Sequence, residues 1–272
     1  MNIFKFRDIN SGYLALVSKI LTGPDSYQNI DLPGAGKGKL VNKKSRWHLR
    51  NVHIIFENPS SFTEYNVACP KRSKVMNDYM EKEKVLFDEG EIRANVLKDI
   101  SKIWKAIENE DGTINANYGY MVYHLRDAGS FSKDYPQNSS SFGSRNGSNS
   151  MSQWEWCQNR LDNNLETLQA IMHFNRPKDQ FVENLDQPCT VFTQFTVEDN
   201  KLNFHAYMRS NDIIYGLPYN LAYFQVLQGR MLKYLQKKHP TLGFGYLHYN
   251  STSLHLYHDK KKIAESIVGI KN

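Results

Sequence analysis

The sequence predicts an α+β fold in which a mixed, mostly antiparallel sheet carries helices on one face. Residues 189–197 and 202–208 each alternate apolar and polar side chains, and a short polar turn joins them, which is typical of a β-hairpin. Residues 217–234 then place apolar side chains at helical spacing, with Pro218 near the start. These elements, together with further helices and strands upstream, indicate helices packed against one sheet.

The remaining elements complete a single domain over residues 1–272. We expect helices at 11–22, 71–87, 96–107 and 153–168, strands at 51–58 and 170–174, a strand or a turn into a strand at 114–125, and two short strands within 243–256. Residues 24–44 are rich in Gly, Lys and Pro and predict a loop. Residues 128–150, which are dominated by Ser, Asn and Gly, predict an exposed and flexible insertion.

Two features of the sequence argue against a phosphate-binding loop and against direct binding of nucleic acid. The GAGKGK segment at 34–39 lacks the Gly-Lys-Ser/Thr ending of a phosphate-binding loop, which favours a solvated loop. The formal net charge of +6 suits anionic substrates, but it is not concentrated in the way that direct nucleic-acid binding requires.

The cysteines and the termini bear on location. The three cysteines form no CxxC pair and no Cys/His metal spacing, so we expect a reducing compartment and no metal. The first residues lack the order of a signal peptide, and no apolar run approaches the ~18 residues of a membrane span. We therefore expect a cytoplasmic protein without membrane contact.

Cys189 and Arg209 are the first candidates for chemistry. Cys189 begins one strand of the hairpin, while Arg209 and Ser210 end the other, so antiparallel pairing brings them to one end of the sheet. A neighbouring cation favours the thiolate, which is the reactive form of cysteine. A buried structural thiol and an ordinary surface arginine are the alternative interpretations.

Three residues that come later in the sequence are candidates for binding a small molecule. Asn220 lies in the first turn of the predicted helix, where it either satisfies backbone donors or offers a donor and an acceptor to a ligand. That pair matches the N3–H and O4 edge of uracil, whereas a carboxylate would suit the exocyclic amine of cytosine. His255 and Tyr257 alternate on the last strand and share a face, which suits sugar hydroxyls or simply a polar strand face.

These residues resemble the motifs of the thymidylate synthase superfamily, which includes phage pyrimidine-nucleotide hydroxymethylases. The resemblance covers most of the chain and is densest over residues 161–260. Its motifs occur in family order: Pro188-Cys189, Gln194-Phe195, Arg209-Ser-Asn-Asp212, Gly216-Leu-Pro-Tyr-Asn220 and Leu254-His-Leu-Tyr257. Upstream, Trp104 and Tyr118-Gly119 match the family's folate-contacting tryptophan and catalytic tyrosine, and Glu83 matches its catalytic glutamate, with Glu81 as the alternative.

The resemblance implies a set of catalytic roles. Cys189 would attack C6 of a pyrimidine, which makes C5 nucleophilic, and C5 would take a one-carbon unit from the co-substrate 5,10-methylenetetrahydrofolate. Tyr118 would assist removal of the C5 proton, and Glu83 would organise water and proton transfer. Trp104 and Asp212 would position the folate.

It also implies how the nucleotide is bound. Arg209 and Ser210 would hold the phosphate, Asn220 would read the base, and His255 with Tyr257 would bind the 3′-hydroxyl of deoxyribose. Synthases contribute two adjacent arginines to the partner subunit's phosphate site, and Leu168 and Gln169 occupy those positions here. Arg46, Arg176 or a lysine of residues 36–44 would have to compensate. The family pairs the backs of its sheets, so the resemblance implies a homodimer.

Two departures favour a hydroxymethylase over a synthase, and a third, the loss of the two arginines, leaves open a nucleoside or an unusual nucleotide as substrate. Thr190 follows the nucleophile where synthases have histidine, as in the phage hydroxymethylases. The sequence ends soon after Tyr257, and without a closing tail we expect water rather than hydride to reach the exocyclic methylene. Asn220 stands where the deoxycytidylate enzymes carry aspartate, which favours uracil.

The leading hypothesis is therefore a deoxyuridylate 5-hydroxymethylase, which would fit a virus that replaces thymine in its DNA. The alternatives are a thymidylate synthase, a deoxycytidylate hydroxymethylase and a catalytically inactive nucleotide-binding homologue.

Overall fold

The computed structural model of the protein describes residues 2–32, 42–125, 151–180 and 184–270. Within these ranges the chain forms the predicted α+β fold. The GAGKGK segment at 34–39 and the predicted insertion at 128–150 lie outside the described residues. No helix in the described part of the chain combines the length and the hydropathy needed to cross a membrane.

One sheet organises these residues. Its strands are β1 Asn2–Phe6, β2 Ser26–Leu32, β3 Asn42–Phe56, β4 Ile171–His173, β5 Thr190–Glu198, β6 Lys201–Met208, β7 Asn211–Asp212 and β8 Gly243–Tyr257. The order is β1-β3-β8-β6-β5-β4, with β2 beside β3 and β7 beside β8. The pairs β2–β3, β3–β8, β4–β5 and β5–β6 are antiparallel, and β1–β3, β6–β8 and β7–β8 are parallel. The sheet is thus mixed, as predicted.

The helices contribute apolar side chains to one large core with the sheet. They are α1 Ile9–Thr22, α2 Pro70–Glu89, α3 Ala94–Leu97, α4 Ile103–Ala106, α5 Gln153–Asn163, α6 Leu217–Leu235 and α7 Lys261–Val268. Buried side chains of α1 and α6, such as Leu16 and Phe224, belong to the same core as Ile54, Phe204 and Leu247 of the sheet. Burial of these apolar faces is the main stabilising contribution to the fold.

In the middle of β3 and of β8, the alternation of buried and solvent-facing side chains shifts by one residue. Asn51 has φ 48°, and on either side of it Leu49 and Val52 are both buried, although they are three residues apart. Ser251 and Leu254 repeat this spacing on the paired strand. A regular strand would alternate with period two. The prediction of two short strands in 243–256 was therefore wrong: one strand, Gly243–Tyr257, contains the phase change.

Other sequence predictions also need correction. The 24–44 loop contains β2, and β3 extends back to Asn42 from the predicted start at residue 51. The predicted helix 96–107 is instead the two short helices α3 and α4. Ala94 and Leu97 of α3 pack with Ile114 in a small separate core. Ile103 of α4 is exposed, so the apolar side chains do not share one helical face. The predicted helix 153–168 ends at Asn163.

Residues 114–125 do not form the expected strand. Tyr120–His124 makes a wide helical turn, in which Leu125 N–H donates to the Tyr120 carbonyl at 2.8 Å. Asn117 Oδ1 accepts from Tyr120 N–H at 2.7 Å and begins the turn. Gly119 lies directly against the backbone of Phe87 in α2, where a side chain would overlap the Phe87 carbonyl. Close approach to a helix, rather than strand pairing, therefore fixes this segment.

We predict that Gly119→Ala lowers the free energy of unfolding by ~1–3 kcal/mol, since an added methyl group overpacks the contact with α2. Gly229→Ala is the matched control, because a Cβ there would meet the Phe244 ring at an ordinary 3.6 Å. In the middle of α6 that control should be neutral or stabilising by up to ~1 kcal/mol. Urea unfolding of both variants measures the difference, and equal stabilities would contradict the packing argument.

Candidate functional site

The ends of β5 and β6 bring Cys189 and Arg209 together. Thr190 pairs with Met208 in the hairpin, and the next residues outward are Cys189 and Arg209. The Arg209 backbone N–H donates to the Cys189 carbonyl at 2.9 Å. The backbone thus places a thiol and a guanidinium at one end of the sheet, as the alternation of the two strands predicts.

The Arg209 side chain holds the segment that precedes the thiol. Its Nε donates to the Pro188 carbonyl at 3.0 Å, and its Nη2 donates to the Gln187 carbonyl at 2.8 Å. A guanidinium has five N–H donors, so these two bonds leave others for an anion. Arg209 is exposed and therefore accessible to one.

The environment of Cys189 favours the thiol over the thiolate. Burial raises the pKa of Cys189, and the carboxylates of Asp186 and Asp212 act in the same direction. The positive charge of Arg209 lowers this pKa, as expected from the sequence, but burial has the larger effect. Arg209 alone therefore does not create a thiolate.

Tyr118 lies beside Cys189. Its hydroxyl accepts a hydrogen bond from the Thr190 N–H at 3.2 Å. Burial raises the pKa of Tyr118, and negative charge on Cys189 would raise it further. Its ring packs edge-on against Phe174, with centroids 5.0 Å apart. A protonated phenol is thus fixed next to Cys189, whereas the sequence had indicated a strand around it.

His255 and Tyr257 share one face of β8, as predicted, and their rings lie 5.0 Å apart. Ser210 Oγ is 3.3 Å from His255 Nδ1. Burial lowers the pKa of His255 to about 3, and the charges of Arg46 and His48 act in the same direction. The imidazole is therefore neutral at physiological pH and offers one donor and one acceptor.

Arg46 belongs to this cluster through β3, where it pairs in register with Tyr257. Its Nε donates to His48 Nε2 at 3.1 Å, and its Nη2 donates to Gln28 Oε1 at 3.3 Å. His48 Nδ1 lies 2.7 Å from Ser253 Oγ. Since His48 Nε2 accepts from Arg46, the proton is on Nδ1 and points to Ser253. Burial lowers the pKa of His48 to about 4, which keeps it neutral.

Sequence reasoning missed His48. It lies two residues after Arg46 on the same strand face, so period-two alternation would have found it. The signal was lost because the strand was expected to begin only at residue 51.

Asp212 and Asn220 occupy the turn that starts α6. The Asp212 carboxylate accepts from the N–H groups of Ile214 and Tyr215 at 2.6 and 2.8 Å, and burial raises its pKa. Its observed contacts are therefore those of a turn-forming residue. Asn220 is half-buried, and its backbone N–H donates to the Gly216 carbonyl at 3.0 Å.

Glu83 and Trp104 form a second cluster. Glu83 lines a cavity of about 150 Å³ between α2 and α6, together with Glu81, Phe87 and Tyr219. Cys189 does not line this cavity, and no hydrogen bond between described residues joins Glu83 to the thiol. Tyr79, which the sequence analysis missed, donates its hydroxyl to Glu83 Oε1 at 3.0 Å. The indole of Trp104 lies near the Tyr79 hydroxyl and lowers its pKa.

The positions where synthases carry arginines are not basic here. Leu168 is 69% exposed, and Gln169 Oε1 accepts from Arg160 at 3.3 Å. Arg176 forms a buried two-pronged ion pair with Asp179, with an Nε–Oδ2 distance of 2.7 Å. That pairing makes Arg176 a poor replacement and leaves Arg46 as the better-placed of the two arginines.

The chain is similar to known proteins of two kinds. Deoxycytidylate 5-hydroxymethyltransferase of Enterobacteria phage T6 is 28% identical over 171 residues, which is 59% of this chain and 60% of the phage protein. Thymidylate synthase of Haloferax volcanii is 27% identical over 140 residues, 51% of this chain and 40% of that protein. Each match thus spans less than two thirds of the relative's length.

The fold is also that of a solved structure. Thermostable thymidylate synthase A from Bacillus subtilis superposes with a TM-score of 0.61 over 94% of this chain and 83% of that one, at 18% identity. The family model described as thymidylate synthase matches residues 11–269, from α1 to the end of α7. Because that match takes in nearly the whole fold together with Cys189 and its neighbours, the chain belongs to the thymidylate synthase family.

Proposed function

We propose that the protein transfers a one-carbon unit from 5,10-methylenetetrahydrofolate to C5 of a pyrimidine deoxynucleotide, with dUMP as substrate and 5-hydroxymethyl-dUMP as product. The observation that supports this best is the placement of the Cys189 thiol beside the Tyr118 hydroxyl and the Arg209 guanidinium. A thiol that adds to C6 of the ring turns the unreactive C5 into a nucleophile.

The protonation states suit this sequence of steps. As sulfur bonds to C6, the Cys189 thiol passes its proton to solvent water, so the nucleophile is unmasked only when a ring is present. C5 then bonds to the one-carbon unit and loses its proton. Because the Tyr118 phenol is itself protonated, it would relay this proton: its oxygen takes one proton while its own O–H passes another to water. Tetrahydrofolate leaves the one-carbon unit as an exocyclic methylene, water adds to that methylene, and sulfur leaves C6 as the ring regains its double bond. The sulfur takes up the proton released by the added water, which restores the enzyme.

The phosphate would bind at the cationic edge of the cluster. Arg209 has unused donors, Ser210 is adjacent, and Arg46 is supported from behind by His48. His48 and His255 are both neutral, so the two guanidinium groups provide the fixed positive charge here. His255 and Tyr257 lie alongside, where they suit the 3′-hydroxyl of the sugar.

Asn220 supports uracil as the base, since its amide complements N3–H and O4. A second candidate substrate is dCMP, because the phage relatives are named as deoxycytidylate enzymes.

Thr190 supports hydroxymethylation as the product chemistry. Synthases carry a histidine after the nucleophile, and here a buried threonine takes its place. The Thr190 hydroxyl donates to the sulfur of Met208. Transfer followed by reduction, as in a thymidylate synthase, is the alternative product chemistry.

The sheet face opposite the helices supports a homodimer in this proposal. Two stacked ring pairs cover it, His205 on His248 and Phe192 on Tyr207, with centroids 4.5 and 4.3 Å apart. These rings lie on the strand positions that alternate with the buried Phe204 and Ala206. A second copy of this chain would bury such a flat aromatic face.

We predict that Cys189→Ser reduces release of tritium from [5-³H]dUMP by at least ~10³-fold, because the hydroxyl is a far weaker nucleophile toward C6. Cys69→Ser is the control, since Cys69 lies at the start of α2 and outside the site. Exchange that persists in the Cys189 variant would exclude the covalent mechanism. Absence of exchange in the unmodified protein with both dUMP and dCMP would support an inactive nucleotide-binding homologue.

We predict that Asn220→Asp moves the ratio of dCMP to dUMP exchange toward dCMP by about 10- to 100-fold, since a carboxylate accepts from the cytosine amine but has no N–H to donate to uracil O4. Asn58→Asp, an exposed substitution with the same charge change, should leave the ratio unaltered. Mass spectrometry of the product formed with methylenetetrahydrofolate distinguishes hydroxymethyl from methyl. If the unmodified protein exchanges only dCMP, the assignment of Asn220 to uracil is wrong.

A further inference from the structure

Glu83 is held within the cavity between α2 and α6 by a specific contact. Tyr79 lies one turn before Glu83 on α2, so both side chains project from the same face of the helix. The Tyr79 hydroxyl donates to Glu83 Oε1 at 3.0 Å. Other hydrogen bonds between this carboxylate and described residues are absent from the structure.

Tyr79 is itself fixed on two sides. Its ring lies 4.3 Å from the ring of Tyr219, which projects from the start of α6. Its hydroxyl, at the other end of the ring, is held by the bond to Glu83, and the nearby indole of Trp104 lowers the pKa of Tyr79. The phenol is therefore fixed between the Tyr219 ring and the Glu83 carboxylate.

We propose that Tyr79 is a positioning residue for Glu83 and that its hydrogen bond orients the carboxylate into the cavity. This role in catalysis rests on the proposed function, in which Glu83 handles protons and Trp104 contacts the folate. Neither the family resemblance nor the sequence pattern had indicated a part for Tyr79.

The electrostatics of the cavity agree with this role. Burial raises the pKa of Glu83 to about 7, and the hydrogen bond from Tyr79 acts in the opposite direction. The other titratable groups that face the cavity are Glu81 and Lys84 of α2 and Tyr219 and Tyr223 of α6. Lys84 lies 3.9 Å from Glu81, so Tyr79 is the specific partner of Glu83. A carboxyl that titrates near neutrality is suited to proton transfer in both directions.

The test is a titration of the Glu83 carboxyl by NMR in protein labelled with ¹³Cδ-glutamate, with the signal assigned by its loss in Glu83→Gln. Tyr79→Phe should raise the midpoint by about one pH unit, because a hydrogen bond that favours the ionised form is removed. Tyr234→Phe is the matched control: it deletes a tyrosine–carboxylate bond of the same kind, to Asp162 at 2.6 Å, outside the cavity. It should leave the midpoint unchanged.

A midpoint that is the same in Tyr79→Phe and in the unmodified protein overturns the proposal, whether or not the protein is active. The second measurement is the pH dependence of tritium release from the nucleotide. If Glu83 acts in its ionised form, the acidic limb of this pH profile should move to higher pH in Tyr79→Phe, together with the NMR midpoint. If the NMR midpoint shifts while the acidic limb stays fixed, Tyr79 orients a carboxyl that the reaction does not use. An inactive but titrating protein refutes the proposed function alone.

Discussion

The site depends on the pairing of β5 with β6. The last backbone bond of that hairpin, from Arg209 N–H to the Cys189 carbonyl, determines where the thiol lies relative to the guanidinium. The Arg209 side chain then returns to bond the carbonyls of Gln187 and Pro188. One arginine thus both anchors the segment before Cys189 and presents positive charge beside it. Charge-assisted bonds of this kind are among the stronger contacts in proteins, so loss of Arg209 would loosen the segment that carries Cys189 as well as remove that charge.

Burial, rather than nearby charge, sets the resting state of most groups around the thiol. It raises the pKa values of Cys189, Tyr118 and Asp212 and lowers those of His48 and His255. The thiol, phenol and imidazoles are consequently neutral, which leaves the arginines as the positive charges of this cluster. In the proposed function, an anion would bind to these arginines first and bring the ring to the thiol, and the sulfur would lose its proton only then.

The sequence predicted the parts of this arrangement that depend on local pattern. The hairpin, α6 and the shared face of His255 and Tyr257 follow from period-two and helical spacing, and the structure shows all three. His48 was missed because its strand begins in a Gly- and Lys-rich segment that looks like a loop. Tyr79 was missed because an i,i+4 tyrosine and glutamate on a charged helix also describe a solvated face. Neither local pattern contains the long-range packing that buries these groups.

Gly119 explains how the two clusters are related. Glu83 and Phe87 lie one turn apart on α2, and Gly119 rests on the Phe87 backbone while the Phe87 ring packs 5.8 Å from the Tyr118 ring. Tyr118 is therefore fixed to the same helix that carries Glu83, with Phe87 between them. Phe87 also lines the cavity of Glu83, so one side chain contacts both clusters. The packing of a glycine on a helix thus links the Tyr118 phenol to the Glu83 carboxyl, which the sequence separates by more than thirty positions.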